Sequence, residues 1–469
     1  MRRALPILAV LLVAFAAAPS ANARPASEIG AVALHPWQLQ SSSTRERVFA
    51  GVAATGVRWV RVDMPWSWVE EHGPTVRTGH GNWSGLDAIV QSADRHGLKL
   101  IGILGFTPEW ASDSGELWTY PHARPFEDFF AAALRRYPQI PAWELWNEPN
   151  FERFSKPRPD PAGFVEFLRS ARRARDSVGS TAKLISGGIA PGGDIDMFSW
   201  INEVGMRGGL ALIDGFGVHP YSAAEPDDPR SWMMQLEAIH ERLAQLGRPD
   251  LPLWITEFGA PTMSVASGYA PAMTEQAQAD RLRIAFALAS RFDWIHNFTW
   301  YEYRDSCRDP ADPECNFGLV RNDLSPKPSY AALREVIAGA TAKLRARLFL
   351  STRIKQARVP VARASAKRRK RPAPKRRAVK LRTVNRIVVS GKLTLPGTPW
   401  PNAVINVLLP RRGAPPKAVP VVVKEGFFWA RFEGRYLRSG RLEALYGGSD
   451  AYQALTAQVQ VTSSNTTSR

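Results

Sequence analysis

Two glutamates stand at the ends of short apolar runs and are the residues best placed to do chemistry. Glu148 follows the run Ala142–Trp146, and Glu257 follows the run Leu253–Thr256. A carboxylate is costly to place beside an apolar run unless it is paired or used. Two carboxylates that face one cleft are the minimum set of catalytic groups for cleaving a glycosidic bond. The pair therefore indicates glycosidic bond cleavage without a metal or a cofactor; paired structural carboxylates in a buried network are the alternative.

The elements that must position these glutamates form a repeating pattern. Between residues 29 and about 345, apolar runs alternate with amphipathic stretches. The apolar runs are Ile29–Leu34, Val57–Val62, Leu98–Leu104, Ala142–Trp146, Lys183–Gly188, Gly215–His219, Leu253–Thr256 and Ile295–Trp300. The helical stretches are Ser43–Ala54, Gly85–His96, Phe126–Arg136, Pro161–Val178, Met197–Met206, Ser231–Leu246, Thr274–Arg291 and Ser329–Leu350. Runs with little polar alternation suit strands buried on both faces, so the pattern predicts an α/β fold, a (β/α)8 TIM barrel.

The barrel gives the two glutamates a common location. Catalytic groups of such barrels lie at the C-terminal ends of the strands. Glu148 then ends the fourth strand and Glu257 ends the seventh, and these strands face each other across the barrel mouth. A doubly wound sheet also fits the alternation, but it does not by itself gather so many polar strand ends into one ring.

Several motifs accompany the two glutamates in a fixed order. They are Trp59–Asp63 in the second run, Asn147-Glu148 after the fourth, Gly217–Tyr221 in the sixth, and Asn316–Leu319 followed by Pro326–Tyr330 near the end. Over about residues 30 to 345 the chain resembles the retaining glycoside hydrolases of clan A. It looks most similar to family 39, which contains β-xylosidases and exopolysaccharide-cleaving hydrolases, with family 5 next.

The resemblance implies a role for each glutamate. Glu148 would be the acid/base and Glu257 the nucleophile of a double displacement. A nucleophile must stay ionised, so it needs hydrogen-bond donors, and Arg61 and the Tyr221 hydroxyl are the expected ones. Glu144, on the same strand as Glu148, is expected to be a structural partner inside the barrel.

Other strand-end residues are expected to contact the sugar. Asn147 would bond the sugar 2-hydroxyl, and Trp300 would form an apolar floor under the cleaved sugar. His219 would orient a neighbour or a sugar hydroxyl, with a satisfied core histidine as the alternative. Trp110 is a candidate for an outer subsite, with loop packing as the alternative. The substrate-binding candidates are His35, Arg61, Trp110, Asn147, His219, Tyr221 and Trp300.

The N-terminus and the cysteines indicate export. Residues 1–23 read as a signal peptide, with Arg2 and Arg3 before an apolar stretch and a small-residue cleavage site; an uncleaved anchor is the alternative. Cys307 and Cys315 are the two cysteines of the chain. In an exported protein they are expected to form a disulfide rather than remain free thiols, and their surroundings lack metal-site spacing.

The basic charge of the chain is concentrated in one segment. Fifteen lysines and arginines, and no acidic residue, lie between Arg353 and Arg386. Without them and the two signal arginines, the net charge of +18 falls to +1. The expected domains are therefore the barrel at 24–350, a basic disordered linker at 351–382, a small all-β, immunoglobulin-like sandwich at 383–462 and a tail at 463–469.

These observations predict a secreted retaining glycosidase that acts on a β-linked oligo- or polysaccharide. A polysaccharide-binding protein of the cell envelope without catalysis is the alternative, although such a protein has no need of both carboxylates. Residues 353–386 are either a solvated spacer or a segment attracted to an anionic cell-wall or envelope polymer, an acidic polysaccharide or nucleic acid. Nuclear targeting conflicts with the signal peptide, so nucleic acid is not an expected partner.

Overall fold

The computed structural model divides the chain at about residue 342 into two compact units. It describes residues 24–222, 232–264, 272–290, 292–339, 347–360, 381–394, 403–411, 414–424, 426–433, 440–446 and 455–461. The predicted signal peptide and the predicted tail lie outside these residues. Among the described residues, no helix combines the length and apolarity that crossing a membrane requires.

The first unit is the predicted (β/α)8 barrel. Its strands are β1 Gly30–Leu34, β2 Trp59–Asp63, β3 Lys99–Leu104, β4 Ala142–Asn147, β5 Lys183–Gly188, β6 Phe216–Val218, β7 Leu253–Phe258 and β8 Ile295–Trp300. The helices that follow them are α1 Ser42–Ala53, α2 Ser84–Arg95, α3 Ala123–Arg136, α4 Pro161–Ser177, α5 Met197–Met206, α6 Trp232–Gln245, α7 Glu275–Ala289 and α8 Pro328–Ile337. Neighbouring strands are parallel, and β1 pairs with β8. Bridges from Ile185 to Gly215 and from Ile189 to Val218 close the ring between β5 and β6.

The strands are apolar because both of their faces are covered. All residues of β1 and of β7 are buried, as expected for a parallel sheet under a layer of helices. Trp143 of β4 packs against Phe130 of α3, with ring centroids 5.5 Å apart, which fixes the outward side of that strand. The inward side of β4 carries Glu144, which is completely buried. Alternation along β4 therefore separates structural apolar contacts from the charged interior of the barrel.

The end of the barrel differs from the prediction. Helix α8 ends at Ile337 instead of Leu350, because Gly339 adopts a left-handed φ of 87° just after it. Residues Arg347–Pro360 form strand β9. The predicted disordered linker 351–382 is wrong at its two ends, because its first ten residues belong to β9 and its last two to strand β10, Leu381–Thr394; residues 361–380 lie outside the described residues. Apolar or β-branched residues at every second position from Leu348 to Ile354 favour a strand whatever the net charge.

The second unit consists of two antiparallel sheets. Its remaining strands are β11 Ala403–Arg411, β12 Ala414–Val423, β13 Phe427–Glu433, β14 Gly440–Tyr446 and β15 Leu455–Val461. One sheet has the order β13-β10-β9 and the other the order β12-β11-β14-β15. Val389, Leu393, Ile405, Val407 and Leu442 are completely buried, so each sheet has one core-facing side, as predicted for an all-β unit.

Candidate active site

The end of β4 has an unusual backbone that sets the direction of its side chains. Trp146 has φ of 85° and Glu148 has φ of 38°, a region that costs non-glycine residues about 1–3 kcal/mol each. Because the strand is no longer regular there, Trp146 contacts Phe167 of α4, with ring centroids 5.3 Å apart. Its indole N–H donates to the Phe154 carbonyl at 2.5 Å. Trp146 therefore packs towards the helix layer, whereas a regular strand would place it on the same face as Glu148.

Arg61 at the middle of β2 joins three residues that the sequence singled out separately. Its Nε donates to Glu144 Oε2 at 2.6 Å, and its Nη1 donates to Glu257 Oε1 at 2.6 Å. Its Nη2 donates to Asn147 Oδ1 at 3.0 Å. Arg61 is 3% exposed, so its guanidinium is occupied by protein partners. It was predicted to be a donor to Glu257 and a substrate contact; the structure gives it the first role.

Glu144 is a buried compensating charge, as predicted. Besides Arg61, its carboxylate accepts hydrogen bonds from the Gly188 backbone N–H at 3.1 Å and from the Thr256 hydroxyl at 2.8 Å. Burial by itself raises the pKa of Glu144, but the Arg61 guanidinium and His219 outweigh it and lower the pKa to about 2. Glu144 therefore stays ionised. Thr256 and Gly188 are parts of this network that the sequence did not indicate.

His219 at the end of β6 connects the two predicted catalytic carboxylates. Its Nδ1 lies 2.9 Å from Glu148 Oε1 and 3.6 Å from Glu257 Oε2, and its Nε2 lies 3.1 Å from Thr256 Oγ1. Burial lowers the pKa of His219, but Glu257, Glu144 and Glu148 outweigh burial and raise it to about 9. An imidazolium donates from both nitrogens, so one proton is directed at Glu148 and the other at Thr256. His219 is completely buried and orients a neighbour, one of its two predicted roles.

Glu257 at the end of β7 receives the donors that the sequence predicted for it. Arg61 donates to Oε1, and the Tyr221 hydroxyl donates to Oε2 at 2.9 Å. Burial raises the pKa of Glu257, but His219, Arg61 and the Tyr221 hydrogen bond lower it below the ordinary value. Glu257 is therefore an ionised carboxylate. Because it is 8% exposed, it still reaches the cleft.

The two carboxylates are close neighbours. One oxygen of Glu148, one nitrogen of His219 and one oxygen of Glu257 all lie within 4.8 Å of one another. A metal ion would need a free histidine nitrogen here, but both His219 nitrogens already have partners. The other group with metal-like spacing in the described residues, Cys307, Asp312 and Cys315, has its cysteines joined in a disulfide. These donor sets suit hydrogen bonding better than metal ligation.

The aromatic wall of the cleft is formed by Tyr301 instead of Trp300. Trp300 is completely buried, so the prediction that it forms a sugar floor is wrong for this conformation. Tyr301, the next residue, is partly exposed, and its ring lies 5.3 Å from Phe317 and 6.4 Å from Tyr221. Successive residues of an extended chain point to opposite faces, so Trp300 at the end of β8 and Tyr301 just after it give each face one aromatic residue. The sequence therefore placed an aromatic residue at this point without showing which one faces the cleft.

His35 and Trp110 occupy different positions at the barrel mouth. His35 Nε2 lies 3.1 Å from the Tyr301 hydroxyl and 3.2 Å from Glu302, so it contacts the wall of the cleft. Trp110 donates its indole N–H to the Glu70 carbonyl at 2.7 Å and packs edge-on against the buried Trp66. That arrangement matches the loop-packing alternative for Trp110.

The predicted disulfide between Cys307 and Cys315 is present, with Cα atoms 4.6 Å apart. It lies in the loop after β8, and Cys315 is two residues before Phe317, whose ring contacts Tyr301. The base of the same loop is held by Lys327, whose Nζ lies 2.7 Å from Asp305 Oδ1. Covalent and ionic contacts thus both constrain the segment that brings Phe317 to the cleft.

The known proteins that this chain resembles are glycoside hydrolases. No family model matches the chain. It is 32% identical over 143 residues to a probable mannan endo-1,4-β-mannosidase A-1 from Aspergillus terreus, covering 24% of this chain and 36% of that protein. It is 21% identical over 285 residues to a β-xylosidase from Geobacillus stearothermophilus, covering 54% of this chain and 55% of that protein. The chain thus spans about a third to about half the length of these curated relatives.

The fold itself matches solved structures over most of the chain. A family 39 glycoside hydrolase from the gut symbiont Bacteroides cellulosilyticus WH2 superposes with a TM-score of 0.52 at 19% identity. The match covers 88% of this chain and 80% of that one. At this identity the similarity establishes the fold, and the chemistry depends on the residues at the strand ends.

Proposed function

We propose that this protein is a secreted retaining glycosidase that hydrolyses β-linked oligo- or polysaccharides, with Glu148 as acid/base and Glu257 as nucleophile. The observation that carries the proposal is the short distance between the two carboxylates across the barrel mouth. One oxygen of Glu148, one oxygen of Glu257 and one nitrogen of His219 lie within 4.8 Å of one another. Retaining enzymes hold their carboxyl groups about 5–5.5 Å apart, whereas inverting enzymes need about 6.5–9.5 Å to admit a water molecule.

In the first step Glu257 attacks the anomeric carbon while Glu148 donates a proton to the leaving oxygen. The glycosidic C–O bond breaks, a glycosyl ester forms on Glu257, and the aglycone leaves as an alcohol. Arg61 and Tyr221 favour the ionised form of Glu257 before the attack. The hydrogen bond from His219 holds one oxygen of Glu148 and so fixes the direction of its carboxyl group.

In the second step water replaces the ester. Glu148, now a carboxylate, takes a proton from the water molecule, whose oxygen attacks the anomeric carbon and releases Glu257. Loss of the Glu257 charge in the intermediate leaves Glu148 as the carboxylate that accepts the hydrogen bond from His219 Nδ1. Two displacements at one carbon return the sugar to its starting configuration.

Two residues would position the sugar. The Asn147 side-chain oxygen accepts from Arg61, so the group that Asn147 presents to the cleft is its NH2, a donor suited to the sugar 2-hydroxyl. Tyr301 would supply the ring against which the cleaved sugar packs. The names of the curated relatives make β-xylosides and β-mannosides the first aryl glycosides to assay.

Replacement of Glu257 by Ala tests the nucleophile. We expect kcat on the best aryl β-glycoside to fall by about 10⁴-fold or more, because the covalent step is lost. Glu152→Ala, which removes an exposed carboxylate from the loop after β4, is the matched control and should keep full activity. Proton NMR of the first sugar released by the wild type should show retained configuration. Substantial turnover by Glu257→Ala, or an inverted first product, would refute the assignment.

Export and wall attachment are separate parts of the proposal. The support for them is the signal-like N-terminus and the fifteen cations between Arg353 and Arg386. We expect the mature chain in the medium or on the cell surface, beginning after residue 23. Retention on cells should fall at high salt if the basic segment holds an anionic polymer. Retention that is unchanged when the cations of residues 361–380 are replaced by serine would contradict that role.

A further inference from the structure

The sheet β13-β10-β9 has two chemically different faces. Residues directly opposite each other in an antiparallel ladder share a face, and successive residues alternate between faces. Val389 and Leu393 of β10 and Phe428 of β13 are buried and mark the core side. The opposite side carries Lys392, which is exposed and pairs in register with Phe427 of β13.

Register places most of the strand cations on that outer side. Strands β9 and β10 contain seven lysines and arginines and no acidic residue. Arg358 pairs with Thr383 at a core-side position. The ladder positions on the outer side are Arg347, Arg353, Lys355, Arg382, Arg386 and Lys392. We call these six positions, together with Phe427 and Trp429, the basic face.

Within its three strands the basic face carries little negative charge. Lys355 stands directly opposite Arg386, and like charges at opposite ladder positions destabilise a sheet. Glu433, which pairs with Arg386 from β13, is the one acidic residue in these three strands. A ladder with six cationic positions on one side therefore gains stability when an anion binds along it.

Aromatic rings accompany these cations. Phe427 and Trp429 lie two residues apart on β13, and each is 56% exposed. The Lys392 ammonium lies 5.8 Å from the centre of the Phe427 ring. A flat ring that reaches solvent beside cations offers two contacts to one ligand: a stacking surface and a charge partner. Val388, between the register positions Arg353 and Arg431, lies at the centre of this side and is 8% exposed, so the two rings of β13 are its exposed apolar part.

We propose that the basic face binds an anionic polysaccharide whose sugar rings carry carboxylates. The cations pair with the carboxylates, and the exposed rings of Phe427 and Trp429 pack against the apolar faces of the sugars. A neutral polysaccharide would leave the cations unused, and a polyphosphate would leave the aromatic rings unused. The choice of a sugar polymer rests on the proposed glycosidase function, but binding itself needs none of the catalytic residues.

Binding of polygalacturonate by the full chain tests the basic face. A Glu257→Gln background removes turnover, and fully methyl-esterified polygalacturonate supplies the same polymer without charge. We expect Kd for the charged polymer to be at least about tenfold lower than for the ester. The double variant Phe427→Ala/Trp429→Ala should raise Kd about tenfold or more. This variant keeps every cation of residues 361–380, so the loss cannot come from that segment.

Matched variants test whether polymer binding depends on the basic face itself, on the total charge or on correct folding. Val404→Ala/Val422→Ala removes exposed apolar residues of the other sheet, 53% and 67% exposed, and should leave Kd unchanged. Lys392→Glu should raise Kd and flatten its dependence on salt, with unchanged thermal unfolding. The proposal fails if the ester binds as well as the acid, if the aromatic double variant binds like its parent, or if poly(dT) binds more tightly than polygalacturonate. Hydrolysis of aryl glycosides is measured separately, so failure here leaves the catalytic assignment intact.

Discussion

The barrel mouth and the basic face both concentrate charge, but they arrange it in opposite ways. At the mouth, Arg61 and His219 are buried against three carboxylates, and each charge has a partner within hydrogen-bond distance. On the basic face, the six cationic ladder positions of β9 and β10 are joined by Arg431 of β13, and the three strands contain one acidic residue, Glu433. Buried pairs act through geometry and short distances, whereas an array of like charges on one side of a sheet acts through summed charge that salt screens. The first arrangement suits bond cleavage and the second suits holding a polymer.

The largest effect should follow from removing the cation of the barrel mouth. Arg61→Met leaves Glu144 and Glu257 buried without their guanidinium, which should lower the free energy of unfolding by about 3–5 kcal/mol. Arg136→Met is the matched control, because the Arg136 pair with Asp87 is at the surface and should cost less than about 1 kcal/mol. Urea unfolding measures both. Equal losses would show that burial does not distinguish these pairs.

A smaller effect should follow from crowding His219. A Cβ on Gly188 would lie 2.2 Å from His219 Nε2 and 2.8 Å from the Thr256 hydroxyl oxygen. Gly188→Ala should therefore destabilise by about 1–3 kcal/mol and lower kcat, because the ring that directs Glu148 must shift. Gly85→Ala, at the start of α2, has its nearest side-chain neighbour at 3.4 Å and should be neutral or slightly stabilising. A Gly188→Ala variant with normal stability and normal kcat would contradict this account of His219.

The pH dependence of stability should come from the barrel mouth. The pKa of His219 is raised from 6.5 to about 9, so its contribution is fully present below pH 6.5 and is lost as the pH rises to 9. Burial lowers the pKa of His35, but Asp63 and Glu302 outweigh burial and raise it to about 10, so it acts in the same direction. As the pH rises through this range, loss of both charges should lower the free energy of unfolding by several kcal/mol, on the order of 1 kcal/mol per pH unit.

Urea unfolding at several pH values, with ring resonances of the two histidines followed by NMR, checks the direction and the residues responsible. Polygalacturonate binding should change little over the same range, because the charges of the basic face come from lysine and arginine instead of histidine. Stability that rises between pH 6.5 and 9 would overturn the assignment of a protonated His219.

The smallest change should be the response of catalysis to salt. From about 0.05 M to about 0.5 M NaCl, kcat/KM on a neutral aryl glycoside should change less than about twofold, because the mouth charges are buried and paired. Kd for polygalacturonate should rise at least about tenfold over the same range. Parallel titrations give both numbers, and a salt response of equal size in both assays would remove the distinction between the two regions.

The sequence was informative where one local rule was enough. Strict alternation of apolar runs and amphipathic stretches predicted all eight strands and the barrel, because strand and helix periods are properties of neighbouring residues. It was less informative at the ends of elements. Trp300 and Tyr301 are both aromatic, and a shift of one residue exchanges the face that each occupies. The helix predicted to continue to Leu350 ends at Ile337, since a single glycine changes the backbone direction there.

What the sequence alone determined is the set of groups: two glutamates at the ends of apolar runs, donors at other run ends, and a segment of one charge sign. Tertiary structure decided which groups meet. Glu144, Glu257 and Asn147 share Arg61 because β2, β4 and β7 direct these side chains towards one point inside the barrel. The basic face exists because the register of β9 on β10 puts six cations on one side. Both are contacts between residues far apart in the chain, and such contacts depend on how elements pack, which local periodicity does not encode.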